Sequence, residues 1–254
     1  AAYDLVERAL VEFKTQRPRS KHIQVPIALL EGQAIAPPRQ STALAETLAT
    51  TNMDMTSLAL ALSSADKPLF VIGGGAAAAA TALREVVSAC GAACFETYAG
   101  RGIIAWDYPL NFGATLARPS SAQIMEQADC IVAIGTELAE VDLWRYHLGH
   151  DCPLYRIDID PECLADEHRA EVAIHARAEV SMTSLQQEIT PSYSSWQVSA
   201  VAQQRRAWRV ESEAERPGII AIVDALRESV PENTMIYSDM TQFSYVANEV
   251  WPMT

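Results

Sequence analysis

The sequence predicts an α/β protein built on a doubly wound parallel sheet. Two observations carry this. Between residues 67 and 190, short runs that are apolar throughout alternate with stretches of helical periodicity, and glycines follow several of the runs. Strands covered on both faces read as continuous apolar runs, and helices between them supply the crossovers that parallel strands need.

Strands are expected over residues 69–72, 93–97, 130–134 and 154–159, with a short last one at 172–174; helices are expected over 76–90 and 121–127. Ahead of this region, residues 3–16 put Leu5, Val6, Ala9, Leu10 and Phe13 on one helical face. Arg17-Pro18 ends that helix, and residues 22–27 read as a short strand. A helix and one strand cannot bury their apolar faces alone, so the chain is expected to begin inside a domain. Residues 31–55, with Pro37-Pro38 and many Thr, Ser and Ala, read as a crossing between domains, followed by a helical stretch at 58–62.

Beyond Pro191 a charged helix is expected over 199–215, bearing Trp208. Pro217-Gly218 breaks it, and a further helix covers 219–230. Thr234 to Asp239 then reads as a strand running into Met240-Thr241-Gln242 and a helix to the end. Both ends of the chain are expected to be cut within domains.

The net charge of -13 argues against nucleic-acid and anionic-membrane partners, since both repel such a surface. No run of ~18 apolar residues suggests a membrane span. The five cysteines, Cys90, Cys94, Cys130, Cys152 and Cys163, match no disulfide framework or zinc spacing. A reduced, cytoplasmic protein is expected.

The loudest local signal is Phe70-Val71-Ile72-Gly73-Gly74-Gly75 running into Ala76 to Ala80. Glycines after a strand permit a tight turn, and the helix start beyond can hold a phosphate on its free N–H groups. The third glycine of the usual dinucleotide spacing is absent, so a plain strand-to-helix turn and a nucleotide site both stand. Arg156-Ile157-Asp158-Ile159-Asp160-Pro161 is a second signal. Asp158 or Asp160 can accept a ribose hydroxyl or cap the following turn. At Ile134-Gly135-Thr136-Glu137, Thr136 can bond a ligand or cap a helix, capping being preferred. His147, His150, Asp151 and Cys152 are all metal-ligating types, but no second ligand pair lies near them in sequence, and a metal site is not expected.

Three stretches in order resemble the thiamine-diphosphate-dependent enzymes of the acetolactate synthase and 2-oxo acid decarboxylase type. The first is the opening helix with Arg17-Pro18 and His22-Ile23-Gln24-Val25-Pro26-Ile27, similar to the end of the pyrimidine-binding domain. There Ser20-Lys21 stands for a Pro-Val pair and Ala28 for an aspartate. The second, Lys67 to Leu185, resembles the whole middle domain, a Rossmann-like fold. Its matching segments include the Gly73–Gly75 turn, Gly100-Arg101-Gly102-Ile103-Ile104, Asp107-Tyr108-Pro109-Leu110 and the two strand ends at Thr136 and Asp158-Ile159-Asp160. The third, Ile236-Tyr237-Ser238-Asp239-Met240-Thr241-Gln242, resembles the opening strand and turn of the diphosphate-binding domain.

The resemblance implies domains at 1–35 (end of the pyrimidine-binding domain), 67–190 (central domain) and 232–254 (start of the diphosphate-binding domain), joined by linkers at 36–66 and 191–231. It implies thiamine diphosphate and Mg2+ as cofactors of the full-length protein, with Asp239, Thr241, Gln242 and Phe243 as diphosphate-side contacts. Phe243 stands where acetolactate synthases often carry histidine, which points to a decarboxylase-like relative, with a polar or guanidino-bearing 2-oxo acid preferred. A nucleotide in the middle domain would use Gly73, Gly74, Gly75, Thr136, Asp158 and Asp160. Ala114-Thr115-Leu116-Ala117 and Ala176-Arg177 replace the acetolactate synthase Gly-Met-Xaa-Gly and Gly-Asp, which ranks an empty or ADP-type site above FAD. The activating glutamate would lie upstream of residue 1 and the magnesium motif downstream of Thr254. The resemblance therefore assigns no catalytic residue to these 254 positions, which alone are expected to be inactive. It also implies a homodimer or homotetramer. The alternative is a non-catalytic Rossmann-type nucleotide-binding module.

Overall fold

Among the described residues, six strands form one parallel sheet: β1 (Pro68–Ile72), β2 (Ala93–Glu96), β3 (Asn111–Gly113), β4 (Cys130–Ile134), β5 (Leu154–Asp158) and β6 (Val172–His175). Their order is β3-β2-β1-β4-β5-β6, the doubly wound arrangement in which strand order reverses between β1 and β4. Every residue of β1 to β5 is buried, and the central β1 and β4 are accordingly apolar at every position rather than alternating. The computed structural model describes residues 2–33 and 52–253. The chain divides into a unit of residues 1–48 and one of residues 49–254.

In the smaller unit, α1 (Ala2–Thr15) is amphipathic, with Arg8 bonded to Glu12 one turn on at 3.0 Å. Lys21 also pairs with Glu12, and together the hydrogen bonds from Lys21 and Arg8 hold that carboxyl below its usual range. Residues 22–27 form no strand. Residues 22–26 run as open chain into α2 (Ile27–Leu30), because no second strand is present among the described residues of this unit to satisfy their backbone groups.

In the larger unit, the helices are α3 (Asn52–Ser64), α4 (Ala80–Ala89), α5 (Ser121–Met125), α6 (Glu140–Leu143), α7 (Pro161–Leu164), α8 (Ala178–Glu188), α9 (Val198–Glu215), α10 (Ile219–Ser229) and α11 (Gln242–Val250). Alternate strand residues feed two cores. Phe70, Ile72, Cys94, Val132, Ile134 and Ile157 pack with α3, α4 and α8 on one face. Leu69, Val71, Phe95, Ile131, Ala133 and Leu154 pack with α5 and Trp208 of α9 on the other. The helical stretch expected at 58–62 is thus part of α3, whose Met55, Leu58 and Leu62 are fully buried in the first core. The expected linker residues 36–51 lie outside the described residues. A third core joins α10 to α11 through Ile220, Val223, Val246, Val250 and Trp251.

Three further differences from expectation have physical causes. The helix expected from residue 76 begins as a 3-10 turn, Gly74–Ala79, before α4. Strand β3 was not expected. It is three residues long with one apolar side chain, and Asn111 anchors it by donating to Glu96 at 3.2 Å and accepting from Gly113 N–H at 2.7 Å. Thr234 to Asp239, expected as a strand, is exposed and unpaired, since no neighbouring strand is present among the described residues to complete its hydrogen bonds.

A buried polar network fastens α9 and α11 to the turn after β3. Arg118 donates from Nε and Nη2 to Glu249 Oε2 (2.9 and 2.6 Å), from Nη2 to Ser212 (2.6 Å) and from Nη1 to Glu215 (3.0 Å). Burial pushes the Glu249 carboxyl above its usual range even with Arg118 beside it. At Arg118 burial acts against the charge, but Glu249 and Glu215 outweigh it and raise its pKa.

Candidate functional site

The carboxyl ends of β1 and β4 meet where the strand order reverses, the place where open parallel sheets bind ligands. Gly73 N–H donates to Ile134 O at 2.9 Å and Gly75 N–H to Gly135 O at 3.0 Å, so the two strand ends are joined backbone to backbone. A Cβ on Gly73 would lie 2.1 Å from Gly135 O, and Gly135 itself sits at φ +60. These glycines make room for protein backbone.

Thr136 is buried beside them. Its hydroxyl accepts from Leu138 N–H at 3.0 Å, and its carbonyl accepts from Arg156 at 3.3 Å. One strand further along, Asp158 accepts from Asp160 N–H at 2.8 Å, and Asp160 caps α7 by accepting from Glu162 N–H at 2.9 Å. Gly73, Gly74, Gly75 and Thr136 are therefore brought together at the switch point. Asp158 and Asp160 stand at the adjoining strand end, with one oxygen of each shaping the local turn.

The second group of expected site residues opens α11. Asp239 carbonyl accepts from Thr241 N–H at 2.7 Å and from the Ser244 hydroxyl, which also meets Ser238 Oγ at 2.7 Å. Thr241 occupies the N-cap with extended backbone, but its side chain makes no capping hydrogen bond. Thr241 and Gln242 are exposed, while Phe243 packs against the third core. The first turn of this nine-residue helix thus keeps N–H groups available to an anion, an arrangement that fits the diphosphate end of a cofactor.

Ser244 was not singled out in the sequence. Its one signal is its place three residues past the cap. Trp144, held at φ 51 after α6, meets Tyr245 of α11 edge-on at 6.0 Å, a contact across 101 positions that no local pattern announces.

His147 is exposed and His150 half-buried, and among the described residues no group of three or more His, Cys, Asp or Glu is placed to hold an ion. His150 Nδ1 is buried without a hydrogen-bond partner, and burial lowers the pKa of both His150 and His168. The cysteines are free thiols, and burial pushes Cys90 and Cys130 up to about 12. Among the described residues no helix is long and apolar enough to cross a membrane.

Residues 55–185 match the central domain of thiamine pyrophosphate enzymes, and the chain belongs to that family. Among its relatives is a protein named probable 2-ketoarginine decarboxylase AruI from Pseudomonas aeruginosa, 31% identical across 96% of this chain and 44% of the relative. Pyruvate oxidase of Lactiplantibacillus plantarum is 27% identical, covering 79% of this chain and 34% of its own length. The large subunit of acetolactate synthase isozyme 2 from Escherichia coli is 24% identical, over 71% and 34% respectively. The chain spans less than half the length of each of these relatives. A solved thiamin diphosphate-dependent enzyme structure from Mycobacterium smegmatis superposes with a TM-score of 0.52 at 20% identity, over 61% of this chain and 31% of that one, a likeness of fold.

Proposed function

We propose that these residues are the middle portion of a thiamine-diphosphate-dependent enzyme that decarboxylates a 2-oxo acid, one with a polar or guanidino-bearing side chain. The observation that carries this is the match along 96% of the chain to a relative named as a 2-ketoarginine decarboxylase. Phe243, where acetolactate synthases often carry histidine, supports the decarboxylase side.

In this reading the exposed start of α11 receives the cofactor diphosphate. The N–H groups of its first turn, around Thr241 and Gln242, bind the anion. Phe243 fixes the helix start by packing on the third core. Ser244 and the Asp239 carbonyl hold the preceding turn in shape. When bound, thiamine diphosphate supplies a ring that takes up the electron pair as carbon dioxide leaves. In the same reading Mg2+ would be held by the family's magnesium motif, which the resemblance places downstream of Thr254.

The strand-end cluster of Gly73, Gly74, Gly75, Thr136, Asp158 and Asp160 is, in the same reading, an ADP-type or empty nucleotide site rather than an FAD site. The turn glycines are already filled by neighbouring backbone, and Asp158 and Asp160 each give one oxygen to a turn. A homodimer or homotetramer, a cytoplasmic setting and the domain limits 1–35, 67–190 and 232–254 belong to this proposal. The test is carbon dioxide release from a panel of 2-oxo acids by the complete polypeptide containing these residues. Release that requires thiamine diphosphate, fastest with 2-ketoarginine, supports the reading. Release confined to pyruvate would overturn the substrate class.

A further inference from the structure

A cavity of about 170 Å³ lies between α9, the turn before β3 and the end of α11. Nothing in the cofactor reading uses it. Three rings, Trp106, Phe112 and Trp208, supply apolar wall, and Arg205, Arg206 and Arg209 stand along α9 at its edge. Phe112 and Trp208 meet edge-on at 5.9 Å, and that contact keeps the wall rigid.

The charges do not cancel. Glu249, the acid in the wall, is already held by Arg118 at 2.6 Å, and Arg209 pairs with Asp224. Arg205 is part-buried, stacks 4.1 Å from the Trp106 ring centroid and donates to Trp106 O at 3.1 Å. Burial lowers its pKa, and nearby Glu96 is engaged by Ile104 N–H and Asn111. Among the described residues no carboxylate pairs with Arg205 or Arg206. Glu96 attracts the Arg205 guanidinium without contacting it, so a part-buried guanidinium faces the cavity with no carboxylate bound, and an incoming anion relieves the cost of its burial.

We propose that this cavity binds a small monocarboxylate with a flat apolar body. The planar fork of Arg205 suits a carboxylate, which it can engage through parallel hydrogen bonds. The ring walls suit an aromatic or branched apolar body and disfavour a bare phosphate, which would lose its water against them. The volume resembles that of an apolar cavity of ~150 Å³ that accepts benzene. The site is built entirely from residues 106–250 and does not rest on the thiamine reading.

The test titrates benzoate, and in parallel its uncharged analogue benzamide, into the full chain without thiamine diphosphate, following fluorescence of the tryptophans in the wall. The expected result is saturable binding of benzoate, with benzamide weaker by about tenfold or more. Arg205→Leu should erase that preference while leaving benzamide unchanged. Arg206→Gln, at an exposed position, should reduce it by a smaller factor and keeps the question answerable should the first variant not fold. Equal affinity for the two probes, or no saturable binding of benzoate to the unsubstituted protein, overturns the proposal. Because no cofactor is present, neither outcome bears on the decarboxylase reading.

Discussion

Replacing Arg118 by alanine should be among the most damaging single changes available outside the apolar cores. Arg118 gives four hydrogen bonds to three partners on α9 and α11, with its side chain 5% and that of Glu249 8% exposed. Its loss leaves a buried carboxylate that burial already disfavours, without its cation. Breaking one side of a buried pair costs about 3–5 kcal/mol. For a chain of this size that is a fall in Tm of about 6–20 °C. The double variant Arg118→Met with Glu249→Leu should recover most of the loss, because neither charge is then stranded. Urea unfolding of the wild type, Arg118→Met, Glu249→Leu and the double variant gives the coupling directly. A loss under about 1 kcal/mol for Arg118→Ala, or a double variant whose loss equals the sum of the singles, would refute the reasoning, since surface-like pairs behave that way.

Three other outcomes follow from particular contacts. Gly73→Ala should destabilise by at least about 3 kcal/mol or fail to fold, since its Cβ would fall 2.1 Å from the backbone Gly135 O and 2.6 Å from Thr136 Cβ, neither of which can swing away; near-native urea unfolding would contradict that. Burial lowers the pKa of His150 and His168 below the unfolded value of 6.5, so the unfolded chain binds more protons in that window. Their stabilising contribution is complete above pH 6.5 and is lost as pH falls through the folded values. The buried Glu96 and Glu249, raised by burial, act in the opposite sense above 4.5. The measurement is therefore the difference between wild type and His150→Gln, which should show the shallower loss on acidification; identical slopes would exclude the effect. Gln242→Pro, which removes a first-turn N–H at a position where proline is tolerated, should weaken thiamine diphosphate binding to the complete polypeptide with little change in Tm. Unchanged calorimetric affinity would remove that amide from the diphosphate site.

The central strands were legible because burial on both faces leaves no polar alternation: β1 and β4 are apolar at every position, and their limits fell within a residue of expectation. Strand β3 was hidden because its stability comes from Asn111 bonding to Glu96, fifteen residues away, rather than from its own composition. The segments at 22–27 and 234–239 show the converse. Their β-like composition meets no partner strand among the described residues, and pairing rather than propensity makes a strand. At the switch point, the glycine run after β1 was visible, but its packing against Gly135 was not, so turn and nucleotide site could not be separated by spacing. The Arg118 network and the Trp106–Arg205 stack join positions about a hundred residues apart, beyond the reach of any periodicity.

The most direct test of the account is calorimetric titration of thiamine diphosphate into the complete polypeptide, with carbon dioxide release from 2-ketoarginine followed in the same preparation. The account predicts saturable cofactor binding and release that stops when the cofactor is withheld. Absence of cofactor binding in a folded, complete polypeptide, or release that proceeds equally without it, would contradict the central claim.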